Sequence, residues 1–140
     1  MTGTIFDEYP APPSAKVLGW RLIALDIEAG EIELGFDGKP EFLNPMGIVQ
    51  GGFLSAMLDD TMGPLILAMT QGRQFGTTID LHVHFLKPVQ PGPITTKARV
   101  TQLGRKVAFA EGQLFDRDGH LAARATCSAL LLDFTKPPTA

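Results

Sequence analysis

Residues 51–69, GGFLSAMLDDTMGPLILAM, carry Leu54, Leu58, Met62, Leu65, Ile66 and Met69 at steps of three or four. That is the spacing of one helical face, so the stretch predicts a long helix that starts at Gly51 or Gly52 and buries this face. A second stripe of small residues, Ser55, Ala56 and Gly63, surrounds the carboxylate of Asp59. Another backbone or a ligand can approach closely there. Pro64 has no N–H to give to the carbonyl of Asp60, which predicts a bend or an early end just beyond Asp59.

Outward from this helix the pattern changes. Upstream, residues 42–52 are rich in glycine and proline and read as a loop leading onto the helix. Residues 17–27 and 31–36, separated by Glu28-Ala-Gly30, read as a hairpin. The proline-rich opening, residues 1–16, is expected to be extended and loosely held, with one domain over 17–140. Downstream, Thr77, Ile79, Leu81, Val83 and Phe85 alternate with Thr78, Asp80, His82 and His84, as in a half-buried strand ending at Lys87-Pro88. Residues 94–100, 107–115 and 121–134 predict three more strands, turned at Gly104-Arg105 and Asp118-Gly119. The class is α+β: a curved antiparallel sheet wrapped around one long central helix.

The 140 residues, 44% of them hydrophobic, suffice for one real core. A net charge of −3 supplies no basic field for a phosphate backbone, so nucleic acid is not an expected partner. No run is long and apolar enough to span a bilayer, and no signal-like start is seen. A cytoplasmic protein is the expectation, and the single cysteine, Cys127, suits a reducing compartment. Cys127 sits in an apolar run and reads as a small buried hydrophobe, not a nucleophile.

The dense constellation of polar residues and glycines is Asn44, Gly47, Gln50, Gly51, Gly52 and Asp59. A helix N-terminus offers unpaired N–H groups, so Gly51 or Gly52 can receive a carbonyl oxygen that gains negative charge. A carboxylate on a small-residue surface can act as general base on water or attack the carbonyl itself. Asp60 is rotated by ~100° from Asp59 around the helix and reads as a structural carboxylate. The same glycines would also serve a helix start without a ligand.

Asn44-Pro-Met-Gly47, Val49-Gln-Gly-Gly52 and then Asp59 resemble the Asn-x-x-Gly-x-x-His-Gly-Gly and helix-borne Asp pattern of hotdog-fold thioesterases. The nearest likeness is to the phenylacetate-pathway and acyl-CoA thioesterase branch, from about Val17 to Phe134. The resemblance implies a hotdog fold and hydrolysis of an acyl-CoA thioester to free acid and coenzyme A, with no metal and no cofactor. It places the catalytic aspartate on Asp59, the helix-starting glycine on Gly51, the loop asparagine on Asn44 and the hydroxyl opposite the aspartate on Thr78. Thr77 is the adjacent alternative. Gln50 stands where the family commonly has histidine, and it can donate from its amide to the substrate or simply bond its own loop. Gly52, Thr77, Lys87, Arg105 and Lys106 are the expected substrate contacts, the cations at strand ends meeting coenzyme A phosphates.

His82 and His84 have the i, i+2 spacing that could hold a metal ion, but they read as a polar strand face. A non-catalytic acyl-CoA-binding hotdog module is the alternative to the enzyme, and a hydratase or dehydratase is a third class. Gly51 and Asp59 lie ~12 Å apart along one helix, farther than a short side chain reaches. Together with the family's interfacial sites, this predicts a homo-oligomer, a dimer or a dimer of dimers (homotetramer), whose active sites are shared between subunits.

Overall fold

The computed structural model describes residues 3–134. The last six residues of the predicted domain lie outside the described residues. Six strands form one sheet in the order β1-β2-β4-β5-β6-β3. They are β1 (Arg21–Asp26), β2 (Glu31–Gly38), β3 (Gln74–Phe85), β4 (Gly92–Leu103), β5 (Val107–Phe115) and β6 (Leu121–Asp133). Every pairing is antiparallel. The long helix α2 (Gly51–Met69) packs against β2 through β6, and the sheet curves around it in a hotdog fold.

Close packing explains the contrast between large helix residues and small strand residues. Met57, Leu58, Met62, Leu65 and Ile66 of α2 are fully buried. Facing them, β5 and β6 offer Ala108, Ala110, Ala123, Ala125 and Ala129. At Gly112 a Cβ would come 3.3 Å from Leu58 and 3.5 Å from Met62, and at Gly76 it would meet Ile66 at 3.2 Å. The helix therefore lies close to the sheet where side chains are smallest. One polar pair crosses this core: the buried hydroxyls of Thr61 and Thr96 are 2.7 Å apart, and Thr61 also donates to the carbonyl of Met57.

Three expectations are corrected. The N-terminal segment is not extended throughout: Ile5–Glu8 form a 3-10 turn, and Pro13–Leu18 form the short helix α1. Thr4 and Asp7 cap the turn reciprocally, Pro13 occupies the helix-compatible first position, and Gly19 ends α1 at φ 76°. Ala15 and Leu18 are buried, while Phe6 meets Trp20 edge-on at 5.3 Å. The first hairpin strand accordingly begins at Arg21 and not at Val17.

The second correction concerns Pro64: of the bend or early end expected there, the early end does not occur, and α2 runs through the proline to Met69. The carbonyl that Pro64 leaves free, that of Asp60, accepts a hydrogen bond from the indole Nε1 of Trp20 at 3.0 Å. A long-range donor thus replaces the missing helical one.

The third lies in β3, which begins at Gln74 and occupies a sheet edge. Its strict alternation fails at Ile79. Thr78 pairs with Ala129 and Asp80 with Ser128, so Ile79 is an extra, bulged residue and is 62% exposed. The bulge shifts the phase: Thr78 shares the inner face with Ala129, while Thr77 and its partner Leu130 face outward.

Candidate active site

The loop before α2 is held on all sides. Asn44 Oδ1 accepts from the backbone N–H of Met46 (2.9 Å) and of Ile48 (3.4 Å), closing a turn that Gly47 completes at φ 77°. Phe42 stacks on Phe53 of α2 at 4.2 Å. The N–H of Val49 donates to Val89 at 2.8 Å and that of Gln50 to Phe42 at 2.9 Å. Asn44 therefore shapes the loop with the same oxygen that could otherwise have met a ligand.

Gln50 is the N-cap of α2, and its exposed side chain makes no capping bond. Gly51 and Gly52, the first two helical residues, thus present N–H groups that have no acceptor within the helix. Ser55 spends its hydroxyl on the carbonyl of Gly51 at 3.0 Å.

Two turns further along, the half-buried Asp59 accepts a hydrogen bond at Oδ1 from Thr78 Oγ1, at 2.8 Å. The bulge at Ile79 is what turns Thr78 inward to make it. Thr77, exposed on the outer face, is not part of this pair.

Asp60 behaves differently from its neighbour. Burial and then the nearby charge of Asp59 push its carboxyl up to about 6, and its Oδ2 is buried with no hydrogen-bond partner among the described residues. Burial first, then the charges of Asp59 and Asp80, push the Cys127 thiol up to about 11. It stays a protonated core residue.

The expected phosphate contacts do not converge within one chain. Lys87, just past the end of β3, lies beside the start of β6, its N–H donating to Ala122 at 3.1 Å, whereas the carbonyl of Lys106 accepts from Leu131 near the far end of β6. Nine residues of strand separate the two ends by roughly 30 Å. Arg105 adjoins Lys106 and lines an open cleft with Arg73, Thr70 and Asp133 at the end of α2. His82 and His84 lie on the outer sheet face, their Nε2 atoms 3.1 Å apart. Asp116, Asp118 and His120 gather in the β5–β6 turn, where Asp116 Oδ1 accepts the N–H groups of Asp118 and His120 and its carboxyl is held below the usual range, chiefly by the bond from His120.

Phe85 was not singled out by the sequence, though it is the last residue of the alternating strand. Its ring lies against Gly51: a side chain at position 51 would begin 3.1 Å from its Cζ.

A family model described as "Thioesterase superfamily" matches residues 46–123, more than half of the chain, from within the loop just past Asn44 through β5 and into the start of β6. A candidate esterase of Saccharolobus solfataricus, SSO2140, is 30% identical over 108 residues, covering 77% of this chain and 76% of its own. A phenylacetic acid degradation-related protein from Ralstonia eutropha JMP134 superposes with a TM-score of 0.85 at 39% identity, over 90% of this chain and 95% of that one. A Streptococcus mutans protein bound to acetyl CoA shares the fold at 16% identity, with a TM-score of 0.74 over 84% of this chain and 91% of that one. With a helix-borne aspartate, an uncapped helix start and the sheet that wraps them, this chain belongs to the thioesterase superfamily.

Proposed function

We propose that the protein hydrolyses acyl-coenzyme A thioesters to the free acid and coenzyme A, with Asp59 as the reacting carboxylate. The observation that carries this reading is the bond from Thr78 to Asp59 Oδ1. It fixes the carboxylate and leaves Oδ2 to take a proton from water or to attack the carbonyl carbon.

In the base form of the reaction, Asp59 accepts a proton as water oxygen bonds to the carbonyl carbon. The oxyanion so formed is received by the N–H of Gly51, with Gly52 beside it. Collapse expels the coenzyme A thiolate, which takes the proton back from Asp59. In the nucleophilic form Oδ2 bonds to the carbonyl carbon, the C–S bond breaks and the coenzyme A thiolate leaves; water then cleaves the mixed anhydride, restoring the carboxylate of Asp59, releasing the acid and supplying the thiol's proton. Gln50 orients the carbonyl or the sulfur with its exposed amide. Neither route calls on a metal ion or a cofactor.

The two halves of the site belong to different subunits in this reading. Gly51 and Asp59 are ~12 Å apart along α2, and Gly63 has open space beside it on the same stripe. A two-fold-related copy with its helix antiparallel would bring its Asp59 beside this Gly51, with Lys87 of one subunit and Arg105 and Lys106 of the other free to meet the same coenzyme A. The edge position of β3 leaves one side of its backbone available for such a partner. The dimer, or a dimer of dimers, is then the working unit, and we place it in the cytoplasm.

The acetyl CoA bound by the Streptococcus mutans relative supports coenzyme A as the ligand class. A specific observation also favours a second reading: Gln50, where the family commonly carries histidine, would suit an acyl-CoA-binding module without turnover. Thiol release from short, long and aromatic acyl-CoAs tests both. Release establishes the hydrolase, while saturable binding without release establishes the module.

A further inference from the structure

We propose that Phe85 sets the acyl specificity of this site, restricting it to acyl groups that are unbranched at the carbon next to the thioester carbonyl. The inference rests on the proposed reaction and names the substrate class within it.

The placement of the ring is the first argument. A Cβ on Gly51 would lie 3.1 Å from Cζ, 3.3 Å from Cε1 and 3.5 Å from Cε2 of Phe85. The ring thus fills the space that any side chain at position 51 would need. Phe85 reaches it from the inner face of β3, where its cross-strand partner is the small Ala123.

Its fixity is the second. Directly after Phe85, the N–H groups of Leu86 and Lys87 both donate to the carbonyl of Ala122, at 2.8 and 3.1 Å. Val89 is fully buried, and its carbonyl accepts the N–H of Val49, one residue before the N-cap Gln50. The strand end that carries Phe85 and the loop that leads to Gly51 are therefore tied into one unit. The backbone that carries the ring is thus held in register with the donor.

Exposure is the third. Phe85 remains 53% exposed although one side of its ring rests on Gly51. Its open face stands beside the helix N-terminus, where the acyl group of a thioester held by the Gly51 N–H would meet it.

A carbonyl oxygen held ~3 Å from the Gly51 N–H puts the carbonyl carbon and the first acyl carbon alongside this ring. A methylene or a flat aryl carbon can lie along an aromatic face. A second substituent on a tetrahedral carbon must point into the ring or force the carbonyl off its donor. One methyl group is worth about tenfold or more in discrimination when the pocket cannot yield.

The test compares butyryl-CoA with isobutyryl-CoA, which differ in branching at that one carbon. In the natural protein kcat/KM should favour butyryl-CoA by about tenfold or more. Phe85→Ala should bring the ratio to within about threefold, and Phe85→Leu, which keeps an apolar filler, should fall between. A structural role alone would lower both substrates together and leave the ratio unmoved. Calorimetric binding of the same pair to Asp59→Asn, with and without Phe85→Ala, reads the steric effect without turnover. Loss of discrimination with the ring would support the proposal even if no thioester were cleaved, which would sink only the hydrolytic reading. Equal affinities with the ring present, or a ratio unchanged by its removal in folded protein, would overturn it.

Discussion

The indole of Trp20 hydrogen-bonds the one carbonyl of α2, that of Asp60, which Pro64 deprives of its helical donor. Two residues far apart in the chain thus mend a defect that a third creates. The consequence is a coupled trio. Trp20→Phe keeps a ring against Phe6 but leaves a partly buried acceptor unsatisfied, and should cost about 1–3 kcal/mol of stability in urea denaturation. In a Pro64→Ala background the helix can supply its own N–H, so the same change should cost less. Equal costs in both backgrounds would show that the indole bond does not compensate for the proline.

Asp59→Asn preserves shape and removes the proposed base or nucleophile, so kcat should fall by at least ~10² while acyl-CoA binding survives. Thr78→Val should lose about tenfold or more, because a hydrogen bond to a charged group is worth ~1.5–3 kcal/mol. Thr78→Ser should retain most activity. Gln50→Ala should lower kcat/KM by less than Asp59→Asn does. A Thr78→Val enzyme with normal kcat would remove the hydroxyl from the mechanism.

Asp60 predicts a pH signature in stability. Its folded carboxyl titrates at about 6, above the ordinary value of 3.8, so between those values the folded state holds more proton than the unfolded one. Stability contributed by this group therefore declines as pH rises through that window and is fully lost above it. Asp60→Asn removes the penalty and should raise Tm at pH 8 by about 3 °C or more, solvent screening of this partly exposed group holding the gain down. Below about pH 4 the two proteins should melt together. Thermal scans across pH 3.5–8 check the sign; a variant less stable than the natural protein at pH 8 would contradict it.

The proposed sharing of sites between subunits predicts complementation. An inactive Asn44 or Gln50 variant impairs the loop half of the proposed site and leaves Asp59 in place, without adding a side chain at Gly51, where the Phe85 ring lies 3.1 Å from a Cβ. Refolded with Asp59→Asn in equal amounts, it should form mixed dimers with one site free of either change. Random pairing restores about a quarter of the sites. Confirmed subunit exchange without recovered activity would falsify the shared site.

The parts of this structure legible in sequence are those written in local periodicity. The buried face of α2, the start at Gly51, the antiparallel strands and the turns at Gly104-Arg105 and Asp118-Gly119 all follow from spacing and turn chemistry. What escaped was non-local. Nothing near Pro64 announces Trp20, forty residues upstream of Asp60, as its remedy. The resemblance favours Thr78 over Thr77, but the register that turns Thr78 toward Asp59 hangs on one bulged residue, which the alternating pattern does not show. Lys87 and Lys106 look alike as strand-end cations, and only the length of β6 between them shows that they occupy opposite ends of the molecule. Phe85 hid among the alternating apolar residues, because the contact that distinguishes it is with a glycine.

The state of Cys127 bears on how the activity can be watched. The only cysteine of the chain is 6% exposed, with its thiol pushed up to about 11. At pH 8 about one molecule in a thousand would carry the reactive thiolate, and that one faces the core. A chromogenic thiol reagent added to the folded protein should therefore react slowly with this buried thiol, so coenzyme A released by the proposed reaction would be counted against a low background, and rapid colour before substrate is added would report unfolding.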